Sequence, residues 1–255
     1  MVEEAVVALR LVHVILHWGR AGWTRNIRAR AKLCPMPISG NQVRDEPTAP
    51  YSRFLALLLG LPALLFVLIT WQVVADGPLI RLDERASREL VHPDRYSELL
   101  ADLGNVQVAV PVLAVALGYV AVRTRRAERW WLPVTAAALL MALVPALIIP
   151  LKDLTDRPGT PVVPPGTGYY PSGHTATAAI AYGCSTLLLL PRLRTPLARG
   201  ALLTVCAALV LGASYGLVRR GYHWPLDVAA SWCLCAVLLS SLWLLLGRGT
   251  AEQPR

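Results

Sequence analysis

"YYPSGHTATAAIAYGCSTLLLL", residues 169–190, places Tyr, Pro, Ser, Gly, His and Thr ahead of a run of small and apolar residues. From residue 173 to 190 that run has the length a membrane-crossing helix needs, about 17–25 residues. Ser172 is a good N-cap for it, and small residues suit close packing between membrane helices. The same N-terminus is also a place for an anion, because the first N–H groups of a helix have no partner within the helix. The two roles use the same backbone groups and do not compete. His174 adds a group that can donate a proton beside such an anion.

The rest of the chain supports a membrane setting. Of 255 residues, 55% are hydrophobic and the mean hydropathy is +0.48, too apolar for an ordinary soluble domain. Apolar residues fall in six blocks long enough to span, near 54–75, 105–122, 130–151, 173–190, 200–218 and 224–246. Pro62, Pro111, Pro133 and Pro145 interrupt these blocks, which membrane helices tolerate. Trp71, Trp130, Trp131 and Trp224 lie at block edges, as interfacial anchors would. Four of the five Cys fall inside apolar blocks, where a thiol acts as a small hydrophobe, and no structural disulfide is expected.

The net charge of +9 does not point to nucleic acid, because the basic residues concentrate in particular connecting segments. Arg20 to Arg53, "RTRRAER" at 123–129, and Arg192, Arg194 and Arg199 fall on one side if every block spans. The positive-inside rule makes that side cytoplasmic, with both termini. Segments 76–104, 152–172 and 219–223 then face outward together. The expected organisation is an N-terminal cytoplasmic arm over 1–52, a six-helix membrane domain over 53–247 and a short cytoplasmic tail over 248–255. Residues 5–18 read as an interfacial helix within the arm. Residues 78–101 alternate Leu with charge and read as an amphipathic helix on the outer surface.

The unusual chemistry collects in three outward stretches, "KDLTDRP" (152–158), "YPSGHTA" and "RRGYHWPLD" (219–227). Taken singly, Lys152 could be a snorkelling lysine, Arg157 could pair with Asp153 one turn back, and His174 could be a core histidine. Asp227 is harder to set aside. It lies in an apolar helix, where an unpaired carboxylate is costly, one turn after His223. A carboxylate holding one imidazole nitrogen leaves the other free as base or nucleophile. Lys152 and the arginines suit a phosphate, as do the N–H groups of Ser172 and Gly173. His223 is then placed to attack phosphorus and His174 to protonate the departing oxygen.

These motifs resemble the type 2 phosphatidic acid phosphatase superfamily, whose membrane members have six helices. The family's second motif, Pro-Ser-Gly-His, is complete at 171–174, and "HWPLD" at 223–227 matches the end of its third, with the spacing kept. The resemblance covers about residues 54–246. It implies an all-α polytopic fold with His223 as the phosphorylated nucleophile, Asp227 as its partner, His174 as general acid, and Ser172 and Gly173 on the phosphate. The departures lie in the clamp. Lys152 is followed by four residues, where the family usually has six, before Arg157-Pro158, and Gly159 stands at the usual Arg position. In the third motif Leu217 replaces the usual Arg, with Arg219 and Arg220 four and three residues before His223.

No carboxylate cluster suggests a required Mg²⁺, so a metal-independent reaction without cofactor is expected, and the resemblance implies a phosphatase acting on a lipid phosphate in the bilayer. Undecaprenyl and other polyprenyl diphosphates, phosphatidic acid and phosphatidylglycerol phosphate are candidate substrates. Arg157 with Arg219 or Arg220 is expected to re-form the clamp, Arg219 being favoured. The alternative is a weak or inactive member that binds or transports lipid.

Overall fold

A computed structural model describes residues 54–251, and side chains as far as 247. The arm, its expected helix at 5–18 and the end of the tail lie outside the described residues. Within them every regular element is helical. In chain order these are α1 (Ala56–Val74), α2 (Pro78–Leu90), α3 (Arg95–Asp102), α4 (Val106–Thr124), α5 (Trp131–Thr155), α6 (Gly173–Leu189), α7 (Pro196–Arg219) and α8 (Pro225–Ala251).

Five of them, α1, α4, α5, α7 and Pro225–Gly247 of α8, are long and apolar enough to cross a membrane. α6 has 17 residues and is enclosed by the others, packing against α4, α5, α7 and α8. Its small side chains explain that position. Ala176, Ala178, Ala179 and Ala181 are all buried, and a Cβ on Gly183 would come within 2.6 Å of Leu239 on α8. Small residues let backbones approach where lipid offers no competing hydrophobic drive. The long spans are the reverse: Leu64, Val67, Trp71, Val115, Leu139 and Leu245 are exposed on the outside of the bundle. For a membrane protein that is the lipid face.

The segment expected as one amphipathic helix over 78–101 is two helices, α2 and α3, separated at residues 91–94, where Pro93 cannot donate to a helical ladder. α3 begins with a reciprocal cap, Asp94 accepting from Ser97 N at 2.7 Å and Ser97 Oγ accepting from Asp94 N at 3.0 Å. This cap, together with Arg219, holds the Asp94 carboxyl below its ordinary pKa. The orientation of α2 differs from that of an amphipathic helix in a soluble protein. Leu79, Leu82 and Leu90 are exposed, while Asp83 and Ser87 are buried. Arg81, Arg85, Arg88 and Glu89 are exposed as well, so what turns into the protein is the pair Asp83 and Ser87 rather than the whole polar face. α3 lies against α7 so closely that a Cβ on Gly216 would meet Ala101 N at 2.4 Å.

Candidate active site

The three motif stretches converge at one end of the bundle. α5 ends at Asp156, which caps it in the left-handed conformation (φ 46°), and the chain turns through Arg157 into the loop that leads to α6. Ser172 is the N-cap of α6. Its Oγ accepts from Thr175 N at 3.3 Å, its own N–H donates to Asp227 O at 3.1 Å, and its carbonyl accepts from Ser231 Oγ at 2.8 Å. The α6 N-terminus is thus tied to the start of α8, which carries Asp227. The Ser172 N–H is committed to protein, so the N–H groups left without a partner among the described residues are those of Gly173 and His174. Gly173 is uncrowded: a Cβ there would meet Ile148 alone, at 3.7 Å.

His223 follows a turn in which Gly221 has φ 74°, and a Cβ on that glycine would also press on Val162 at 2.9 Å. The backbone needs glycine here to reverse between α7 and α8. Thr160 Oγ1 donates to Gly221 O and pins the 160s loop to this turn. His223 and Asp227 are both buried, with Nδ1 3.3 Å from Asp227 Oδ2, which also accepts from Trp224 N at 3.1 Å. The pairing of His223 with Asp227 expected from their spacing is present in the structure.

Arg157 has a different setting from either sequence expectation. Its partner is not Asp153. Its Nη1 donates to Asp227 Oδ1 and its Nη2 to Asp83 Oδ2, both at 2.5 Å, and its guanidinium lies 5.5 Å from the centre of the Trp224 ring. Arg157 is 6% exposed, and both carboxylates are buried. It is not free in this arrangement to clamp an anion. Trp224 donates from Nε1 to Pro158 O at 3.0 Å and lies over the Arg157 guanidinium.

Asp83 is the residue that the sequence reading missed. Its Oδ1 accepts from Leu226 N at 2.9 Å while Oδ2 binds Arg157, so α2 braces the first turn of α8. Burial pushes its carboxyl above the ordinary carboxylate pKa, against the downward pull of Arg157. The signal available in sequence was the i, i+4 pair Asp83 and Ser87, which on a helix falls beside Leu79 and Leu90 rather than among Arg81, Arg85 and Arg88.

A cavity of about 430 Å³ opens beside these groups. Lys152, His174, His223, Tyr169 and Leu217 line it, with Glu98 and Asp102 at its α3 side. The His174 and His223 rings are 6.3 Å apart between centroids. Arg219 and Arg220 do not line it. Arg219 is paired with Asp94 at 3.0 Å and Arg220 with Glu98 at 2.5 Å, both on α3 or its cap. Lys152 is thus the one permanent cation on the cavity wall. Among the described residues, no three His, Cys, Asp or Glu side chains are grouped to hold a metal ion.

A buried His–Asp pair facing a second histidine and a lysine, at the start of a helix whose first N–H groups are free, is suited to phosphoryl chemistry. Residues 133–250, which contain Lys152, Ser172 to His174 and His223 to Asp227, match the PAP2 superfamily. That segment belongs to the PAP2 superfamily. Among solved structures, a transmembrane PAP2 type phosphatidylglycerolphosphate phosphatase from Bacillus subtilis shares the fold. The TM-score is 0.62 and the identity 19%, over 77% of this chain and 98% of that one. No curated protein matches the chain. This PAP2 protein is therefore an integral membrane protein of a lipid phosphatase superfamily.

Proposed function

We propose that this PAP2 protein hydrolyses a lipid phosphate or diphosphate through a phosphohistidine. With Nδ1 held by Asp227, Nε2 of His223 is the nitrogen that attacks phosphorus. The bond to the leaving oxygen breaks, and His174 supplies the proton that this oxygen takes up. Water then cleaves the P–N bond, with His174 accepting its proton, which restores both histidines. The phosphoryl oxygens rest against Lys152 and the free N–H groups of Gly173 and His174. Ser172 contributes by capping the helix that presents them. Arg157 acts through Asp227 rather than on the substrate, and Arg219 and Arg220 stay on α3. The reading is supported above all by the placement of His223 and His174 on one cavity wall, with Asp227 behind His223.

α6, about 25 Å long at 1.5 Å per residue, serves in this reading as the sixth crossing, with both termini cytoplasmic and the cavity outside. Polyprenyl diphosphate, phosphatidic acid and phosphatidylglycerol phosphate are the candidate substrates. A second reading, a non-catalytic lipid-binding member, draws on the engagement of all three arginines by carboxylates. Phosphate release by purified protein in detergent, on a panel of these lipids without added metal, separates the two. The enzyme releases phosphate, His223→Ala abolishes turnover, and His174→Ala costs about 10²–10⁴-fold. Full activity in His223→Ala, or no release across the panel, rejects the catalytic reading.

A further inference from the structure

The end of the bundle opposite the catalytic cavity holds a second cavity, of about 540 Å³, lined by Tyr119, Arg123, Thr124, Pro191, Arg192 and Arg194. It lies between the C-terminal end of α4 and the turn after α6. Asn105, which caps the start of α4, borders the catalytic cavity, and Thr124 at its end borders this one. Nineteen residues at 1.5 Å each put the two ends about 28 Å apart, close to the thickness of a bilayer's hydrocarbon core.

Three guanidinium groups and no carboxylate line this second cavity. Arg192 donates to Leu188 O and so caps the end of α6. Arg123 and Arg194 have neither an ion pair nor a hydrogen bond among the described residues, although Glu128 lies in the loop after α4. Arg199 shapes the turn instead, donating from Nε to Leu193 O at 3.0 Å. Two unpartnered arginines and a third lining one cavity suit a phosphate, which takes paired N–H donors. An apolar track leads to the cavity. Val112, Val115, Tyr119 and Val122 recur at helical spacing on α4, and all are exposed.

We propose that this cavity binds the headgroup phosphate of an anionic phospholipid in the leaflet opposite the catalytic cavity, with an acyl chain along the Val112–Val122 face. Arg123 and Arg194 hold the phosphate, and Arg192 adds charge while capping α6. The site is separate from the catalytic cavity and stands whether or not the protein is a phosphatase.

The test uses full-length protein in a neutral detergent. Phosphatidylglycerol or phosphatidylcholine is titrated in mixed micelles, with retained lipid read by native mass spectrometry and Tm followed in parallel. Phosphatidylglycerol is expected to be retained and to raise Tm, and phosphatidylcholine to do neither. Arg123→Ala with Arg194→Ala is expected to weaken retention about 10-fold or more, from loss of charged hydrogen bonds. Arg125→Ala with Arg126→Ala makes the same change in net charge outside the cavity and is expected to leave retention intact. Equal loss in both double variants, or equal retention of both lipids, overturns the proposal. Protection by inorganic phosphate as strong as that by phosphatidylglycerol assigns the cavity to a free anion and also overturns it. If the double variant fails to fold, Arg194→Gln alone, at an exposed position outside the helices, carries the same comparison.

Discussion

Asp83→Asn isolates the connection from α2 to the proposed nucleophile. The substitution keeps the shape and leaves an oxygen to accept from Leu226 N, but it removes the charge that faces Arg157. An amide N–H₂ placed where Oδ2 stands, 2.5 Å from Arg157 Nη2, sets donor against donor, so the contact must open. The native trio carries two carboxylates and one guanidinium, a net charge of −1, whereas the variant leaves a neutral Arg157–Asp227 pair. The loss is one charge-assisted hydrogen bond, about 1.5–3 kcal/mol. It is offset in stability because a carboxylate that burial already disfavours is no longer charged. If that loss falls on the orientation of Asp227 and His223, kcat drops about 10- to 100-fold. KM and Tm should change little. The assay is phosphate release from a lipid phosphate in detergent micelles, with kcat and KM measured across pH and Tm alongside. Because burial raises the Asp83 pKa, its protonation as pH falls begins above the range of an ordinary carboxylate. That part of the wild-type acid limb should be absent in Asp83→Asn, whose activity holds to lower pH from its reduced plateau. A variant with kcat within about twofold of wild type and an unchanged acid limb would refute the reasoning. So would an effect confined to Tm.

Gly173→Ala should fold with Tm unchanged or slightly raised, since the new Cβ meets Ile148 alone at 3.7 Å and Ala suits a helix better. The methyl group should nonetheless obstruct an anion at the helix start, so phosphate release falls, and retention of wild-type kcat/KM would remove Gly173 from the phosphate site. Gly216→Ala should destabilise by about 1–3 kcal/mol through overpacking against α3, read as a lowered Tm, because backbone atoms of Ala101 and Ser97 leave its Cβ no room. For the sides of the membrane, a Cys at Thr167 in a variant without native thiols should react with an impermeant reagent on intact cells, and one at Thr124 should not. The reverse pattern overturns the proposed orientation.

The linear order of residues determined the class of the protein and the heart of its candidate site. Long apolar blocks could belong only in a membrane, and all but one of those blocks contain a helix that meets the requirements of a span. The block at 173–190 is the enclosed α6, whose run of small residues was legible as a packing signal. His223 and Asp227 were legible as a pair because they are four residues apart on one chain segment, a separation that a helical turn closes by itself. The connection of His174 to them was legible as outward-facing chemistry that the motif resemblance then joined, and the fold supplies it through the hydrogen bond from Ser172 N to Asp227 O.

What only the tertiary structure decided is where the arginines go. Arg157 is separated by 74 residues from Asp83 and by 70 from Asp227, and no local periodicity reports contacts at that range. Arg219 and Arg220 looked available because their acidic partners, Asp94 and Glu98, lie on a helix more than 120 residues earlier. The direction in which α2 turns Asp83 was equally undetermined. The same spacing serves a helix with Asp83 and Ser87 in water or one with that pair turned onto a protein site while Arg81, Arg85, Arg88 and Glu89 stay exposed. The choice depends on which side meets lipid, and that is settled by the packing of α2 against α1, α7 and α8 rather than by any property of α2 alone.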